Sequence, residues 1–163
     1  MSTPTPSQRI TPFLWFDMNA EEAVAFYTSI FKDSRVGAVS RYGEGAPVPK
    51  GTVMTIAFEL AGQQFMALNG GPHFKFTEAI SLFVDCECQQ EVDALWEKLS
   101  AGGEKSRCGW LKDKFGVSWQ VIPKALGQLM GDKDPEKSKR VMMAMLQMSK
   151  IDVAALQRAH DGG

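Results

Sequence analysis

Few side chains in this sequence could do chemistry, and their spacing narrows what that chemistry is. There are two histidines. His73 lies in the loop Asn69-Gly-Gly-Pro-His-Phe, and an imidazole titrating near neutrality could act as a base. No Ser/His/Asp arrangement can be traced around it, so a surface-loop histidine is the plainer reading. His160, three residues from the end, is expected in solvent. Cys86 and Cys88 are separated by one residue, a spacing that bridges poorly, and no CxxC pair exists to begin a zinc site. Cys108 has Arg107 and Lys112 nearby, cations that could lower its pKa, although a small buried apolar role is the commoner one for such a residue. The most suggestive pattern is an alternation. Val117, Trp119 and Val121 make one apolar face of a strand, while Ser118 and Gln120 share the other, a polar pair suited to hydrogen-bonding a small ligand or simply solvated.

These residues need a scaffold, and the hydrophobic periodicity supplies one. Residues 10–17 read as a strand that leads into a helix capped by Asn19, with Glu22 completing a capping box. Ala23, Phe26, Tyr27, Ile30 and Phe31 form its apolar stripe. Strands follow over 35–42, 52–60 and 64–68, the last two joined by an Ala61-Gly62-Gln63 hairpin. The order then recurs, with a strand over 79–85, a helix over 89–100 ending at Gly102-Gly103, and a strand over 117–122. A shift of 68 places Leu14 on Leu82, Phe16 on Val84 and Val24 on Val92; a shift of 54 places Phe65 on Trp119 and Met66 on Gln120. Such self-similarity predicts two copies of one βαβββ unit, modules of about 10–70 and 78–123 forming an α+β domain over 10–123. Beyond it, 124–163 is a helical extension with helices over 135–148 and 149–160, the second opened by a Ser149-x-x-Asp152 capping box. Met142, Met143, Met145, Leu146 and Met148 form a stripe there, expected to pack on the protein's own sheet or on a second copy.

Composition excludes several function classes. The 163 residues are 44% hydrophobic and 23% charged, with a net charge of -1, as in an ordinary globular protein. No basic footprint for nucleic acid or an anionic membrane is present, and no apolar run approaches the roughly 18 residues a membrane helix needs. The Pro/Ser/Thr-rich start, residues 1–9, reads as a disordered tail rather than a signal or anchor. An odd number of cysteines, three, points to reduced thiols and a cytoplasmic location.

Three stretches carry a resemblance: Leu68-Asn-Gly-Gly-Pro-His-Phe-Lys-Phe-Thr-Glu-Ala-Ile-Ser81, Asp85-Cys-Glu-Cys-Gln-Gln-Glu-Val92 and Cys108-Gly-Trp-Leu-Lys-Asp-Lys-Phe-Gly-Val-Ser-Trp-Gln120. With the tail Ala144-Met-Leu-x-Met-x-Lys-Ile-Asp152, they resemble the PhnB-like family of the vicinal oxygen chelate (glyoxalase/bleomycin-resistance) superfamily, whose members carry the name 3-demethylubiquinone-9 3-methyltransferase. The resemblance implies two βαβββ modules curling one incomplete barrel around a cavity, within a homodimer. It also implies, for the enzymes of the superfamily, a divalent metal held by the first and last strand of each module. Here those positions fall on Ile10 or Pro12 and Met66, then Glu78 or Ile80 and Gln120, so at most two conventional ligands are expected.

The reading that follows is a small, partly apolar molecule bound in the cavity, lined by Asn69, Glu78, Ser81, Trp110 and Gln120, with no cofactor. The alternative is a metal-dependent enzyme of the chelate type, lyase-, isomerase- or dioxygenase-like, with the metal on Glu78 and Gln120. The second alternative is the methyltransferase of the family's name. That chemistry calls for a glycine-rich turn opening a helix, whereas Gly43-x-Gly45 runs into Ala-Pro-Val-Pro. Trp110, Phe74 and Phe76 fall in connecting segments, where they could wall a ligand pocket.

Overall fold

The computed structural model describes residues 8–163. The expected tail therefore lies outside the described residues except for its last two. Of these, Gln8 is held against the first module: its side-chain amide accepts from Gln64 N and donates to Gln64 O, both at 3.0 Å. The chain divides between Lys75 and Phe76 into two compact units, each built on a four-stranded mixed sheet.

The first unit runs β1 (Phe13–Phe16), α1 (Ala20–Ile30), β2 (Arg35–Arg41), β3 (Val53–Leu60) and β4 (Gln63–Asn69), a βαβββ module with sheet order β1-β4-β3-β2. β1 lies parallel to β4 and the other pairs are antiparallel. The alternation along β3 and β4 buries Ile56, Phe58, Leu60, Phe65 and Ala67 on one face. α1 covers this face with Ala20, Ala23, Val24 and Tyr27, and Tyr27 stacks on Phe58 at 6.3 Å between ring centroids. This stripe is rotated from the sequence reading, since Phe26, Ile30 and Phe31 are only half-buried. The capping also differs. Asn19 makes no side-chain cap; instead Ala20 N donates at 2.9 Å to Oδ1 of the buried Asn69, at the end of β4 and 49 residues away in sequence. Asn69 Nδ2 donates in turn to Val53 O and Glu21 Oε1, so one side chain joins the helix start to β3 and β4.

The second unit repeats the module with β5 (Ser81–Cys86), α2 (Gln89–Ser100), β6 (Glu104–Lys105), β7 (Trp110–Lys112) and β8 (Ser118–Pro123), in order β5-β8-β7-β6. β6 and β7 were not apparent in the sequence, being two and three residues long. α2 buries Val92, Leu95, Trp96 and Leu99, spaced as one helical stripe, on the side of the sheet that carries Leu111, Trp119 and Val121. The ladders also fix the internal repeat. Leu14 lies opposite Ala67 and Leu82 opposite Trp119, so a shift of 68 in the first strand goes with 52 in the last rather than 54. Because the slip is even, every side chain keeps its face.

The turn between β7 and β8 depends on one buried carboxylate. Asp113 Oδ1 accepts from Phe115 N at 2.8 Å and Val117 N at 3.0 Å, and Oδ2 accepts from Trp119 Nε1 at 2.9 Å. Against the same end of β7, Gly103 packs so closely that a Cβ would meet Lys112 O at 2.1 Å, so that glycine is required by space rather than by a turn angle.

The C-terminal residues belong to the second unit. α3 (Lys124–Met130), α4 (Pro135–Met145) and α5 (Val153–Asp161) close a cluster of Ile122, Leu126, Val141, Ile151 and Leu156. Met145 and Met148 pack on this cluster, whereas Met142, Met143 and Leu146 are exposed, so the expected methionine stripe is split between two faces. Ser149 does not cap α5; its hydroxyl donates to Ser106 O, and Asp152 caps by accepting from Ala155 N. His160 is drawn in rather than left in solvent. It sits 2.8 Å from Asp132 Oδ2 and 3.1 Å from Asp161 Oδ1, while Arg140 donates to the carbonyls of Ala159 and His160. No helix among the described residues is long and apolar enough to cross a membrane.

Two outcomes follow for stability. Changing Asp113 to Asn turns an amide NH₂ toward a ring or backbone N–H, leaving a buried donor unsatisfied; equilibrium urea unfolding should show a loss of about 1–3 kcal/mol. A loss within error would mean that the three bonds do not hold the turn. The second concerns pH. Hydrogen bonds from Asp161 and then Asp132 raise the pKa of His160 above its ordinary 6.5; the Asp134 backbone N–H and then His160 hold the Asp132 carboxyl below its usual range, and His160 does the same for Asp161. The carboxylates' contribution is present above an unfolded pKa near 3.8 and that of His160 below 6.5, so the cluster is fully effective between them and weakens as pH rises through the raised histidine pKa. The urea midpoint should fall more between pH 6 and pH 8 in the wild type than in His160→Gln; equal falls would show that the cluster contributes nothing.

Candidate functional site

In the second unit the helix covers one face of the sheet and leaves the other open. Strand pairing sets which residues share the open face. Ser81 lies opposite Ser118 and Phe83 opposite Gln120 across the parallel pair, while Trp110 lies opposite Gln120 and Lys112 opposite Ser118 across the antiparallel one. Glu104 faces Lys112 from the edge strand. Trp110 thus begins a strand rather than lying in a connecting segment, because it continues the alternation that buries Leu111 on the helix side.

Between these side chains is a cavity of about 80 Å³ lined by Glu78, Glu104, Ser106, Trp110, Leu111, Lys112 and Ser118. Ser118 is 2% exposed, and its Oγ has no hydrogen-bond partner among the described residues. A buried hydroxyl left in this state is unfavourable, and such atoms are rare in folded proteins. Glu78 and Lys112 form an ion pair of 2.6 Å at the rim. Their hydrogen bond lowers the pKa of Glu78 and raises that of Lys112, so both stay charged at neutral pH. A wider and more open groove of about 500 Å³ adjoins the same sheet, lined by Phe83, Asp85, Ile122, Lys124, Leu126 and Met130 among others. It contains no orphaned polar atom.

The residues expected from the sequence are distributed as follows. Ser81 and Gln120 meet directly, Gln120 Nε2 donating to Ser81 Oγ at 2.9 Å. Trp110 and Glu78 line the cavity. Asn69 belongs to the other unit, where both ends of its amide are engaged by protein groups. Lys112 and Glu104 were not picked out as lining; the signal for Lys112 was the period-two spacing from Trp110, legible only once 110–112 is read as a strand, and Glu104 joins it only through the pairing of β6 with β7. His73 and Phe74 are exposed, and Phe74 lies edge-on to Trp15 at 4.9 Å. Gly70 sits against that same Trp15, where a Cβ would come within 2.3 Å of the ring, so it serves packing, while Gly71, with φ +91° and open space around it, serves the turn. Cys108 is half-buried with its Sγ on Met145 O at 3.6 Å, and burial pushes the Cys86 thiol up to about 12, so Cys86 is no nucleophile. All three cysteines are free.

Two βαβββ modules, each a sheet ordered with its first strand beside its last, define the vicinal oxygen chelate fold. The same fold is found in the fosfomycin resistance protein FosX from Listeria monocytogenes, solved with Mn(II) and a dihydroxypropylphosphonic acid, which is 19% identical, with a TM-score of 0.52 over 71% of this chain and 90% of that one. Protein PA1353 from Pseudomonas aeruginosa is 23% identical, with a TM-score of 0.60 over 72% and 98%. The PhnB protein from Bacillus cereus is 42% identical, with a TM-score of 0.65 over 71% of this chain and 99% of that one. The 3-demethylubiquinone-9 3-methyltransferase family matches residues 8–122, and the chain belongs to that PhnB-like family. No curated protein matches.

The donor set can now be tested against a chelated metal. Ile10, Pro12, Glu78 and Ile80 precede the strands that were expected to carry them. On the faces away from the helices, the outer pairs present Phe13 and Trp15 with Met66 and Leu68 in one unit, and Ser81 and Phe83 with Ser118 and Gln120 in the other. The first unit's face offers no oxygen or nitrogen ligand of the usual kind, and the second offers the Gln120 amide and, two residues on from Phe83, the exposed Asp85 carboxylate, with no imidazole in either. Among the described residues no cluster of three or more His, Cys, Asp or Glu could hold an ion. Nor do the residues fit S-adenosylmethionine in the manner of a doubly wound methyltransferase. Gly43 and Gly45 lie in the connection between β2 and β3, with no helix following. Protein incubated with Mg²⁺, Mn²⁺, Ni²⁺ and Zn²⁺ and then desalted should carry well under one ion per chain by elemental analysis, with an unchanged melting point. A stoichiometric ion lost on Glu78→Ala would overturn this assignment.

Proposed function

We propose that the protein binds a small, partly apolar molecule on the helix-free face of its second module, through Trp110, Ser118, Ser81 and Gln120, with Glu78 and Lys112 at the mouth and no metal. The observation that carries the reading is the buried Ser118 hydroxyl without a partner at the wall of the cavity. An enclosed apolar wall with a few convergent polar groups is the general form of a small-molecule site. Trp110 supplies apolar area, and Gln120, with its Nε2 engaged by Ser81, keeps its Oε1 as an acceptor. Assembly as a homodimer and a cytoplasmic location belong to the same reading, supported by exposed Val36, Val39, Met142, Met143 and Leu146 and by three free thiols.

The test separates a binding hydroxyl from a structural one. In the free protein the Ser118 hydroxyl is desolvated and unpaired, so Ser118→Ala should unfold at the same urea concentration as the wild type or a higher one. A panel of small hydroxylated and aromatic fragments, followed by ¹H–¹⁵N spectra, should yield binders that shift the Trp110 indole N–H and the Gln120 side-chain amide together. Their affinity should fall roughly 3- to 10-fold in Ser118→Ala, the equivalent of one hydrogen bond. Binders that leave both resonances unmoved, or a serine variant that is destabilised with affinity intact, would remove the basis for this site.

A further inference from the structure

The charges around the cavity are unbalanced, and the imbalance names a ligand class. Its lining holds two carboxylates, Glu78 and Glu104, and one ammonium, Lys112. Lys112 is committed: its Nζ lies 2.6 Å from Glu78 Oε1, while Glu104 acts on it only through the longer-range field. Among the described residues no cation lies within ion-pair distance of Glu104, which is exposed at the end of the edge strand. The cavity therefore carries one uncompensated negative charge beside the Trp110 ring and the orphaned Ser118 hydroxyl.

Resting on the reading of this face as a small-molecule site, we infer that its ligand presents a small ammonium group to Glu104, Trp110 and Ser118. The three partners are complementary to a cation in different ways. The carboxylate supplies the opposite charge. The indole is the best aromatic partner for a cation. The hydroxyl oxygen, buried at the wall, accepts an N–H and so loses its desolvation penalty on binding. An anionic group finds the reverse: its only cation is already neutralised by Glu78, and Glu104 repels it. A neutral group gains the hydroxyl and the apolar wall but leaves the carboxylate unanswered. At about 80 Å³ the cavity admits a head group of a few heavy atoms, with any apolar remainder extending along the open face of the sheet.

The experiment uses three probes of one shape, n-butylammonium, n-butanol and n-butyrate, titrated at constant ionic strength and pH 7 while the Trp110 indole N–H is followed. The ammonium should bind about tenfold more tightly than the alcohol, the scale of a partly desolvated cation–π contact with a carboxylate beside it. The butyrate should not shift the resonance. Glu104→Gln should abolish the preference of ammonium over alcohol while leaving the alcohol's affinity unchanged; Glu136→Gln, on α4, should do neither. Equal binding of ammonium and alcohol, a preference for butyrate, or a preference that survives Glu104→Gln would overturn the ligand class and leave the site standing. Failure of all three probes to move Trp110 up to solubility-limited concentrations would overturn both the class and the site.

Discussion

The open face of the second module depends on the carboxylate of Asp113. That side chain takes two backbone N–H groups from the five residues that separate β7 from β8, Phe115 and Val117, and the indole N–H of Trp119 in β8. A buried carboxylate is tolerable only when its oxygens are satisfied, and here each oxygen has a donor. The turn then sets the register, Lys112 against Ser118 and Trp110 against Gln120. A slip by one residue would send Trp110 and Gln120 to the helix side and bring Leu111 and Trp119 into the open. The cavity, its orphaned hydroxyl and its charge imbalance all follow from that one arrangement. Asn69 plays the matching part in the first module, where an amide rather than a carboxylate ties a helix start to two strands.

Much of this architecture was legible in the sequence, because it rests on periodicity. The helix over 89–100 and the alternation from Val117 to Val121 are strong local signals, and the structure has the helix at Gln89–Ser100 and a strand at Ser118–Pro123. What escaped was decided by distant partners. β6 and β7 are too short to show alternation of their own, and they exist because β8 offers them a ladder. The cap on α1 comes from Asn69, nearly fifty residues away, which no local capping motif can reveal. His160 reads as a terminal, solvated residue until Asp132 is brought to it by the packing of α3, α4 and α5.

The site itself was legible by type more than by role. Trp110, Ser81 and Gln120 fall on one side of one sheet, since strands translate spacing into faces, while Glu78 lies ahead of β5 and lines the cavity from there. Ser118 was visible as the partner of Gln120 in alternation, but its isolation from other polar groups is a property of packing that spacing cannot express. The likeness to FosX extends to the fold, and on the helix-free faces the paired first and last strands carry Phe13, Trp15, Met66 and Leu68 in one unit and Ser81, Phe83, Ser118 and Gln120 in the other. A shared backbone does not by itself fix the chemistry it supports, and function has to be argued from the side chains on it.

The join between the second module and the C-terminal helices has a consequence for how this protein is handled. The family match ends at residue 122, yet Cys108 and Gly109 donate to the carbonyls of Met148 and Ser149, and the Gln89 amide clasps Ile151 and Val153. The segment that presents Trp110 is therefore pinned from behind by residues well outside the family boundary. A fragment cut at that boundary would expose Ile122, shed the clasp on α2 and free the strand that builds the cavity. In this chain the contacts that hold the second module therefore run past the family boundary as far as Val153, at the start of α5.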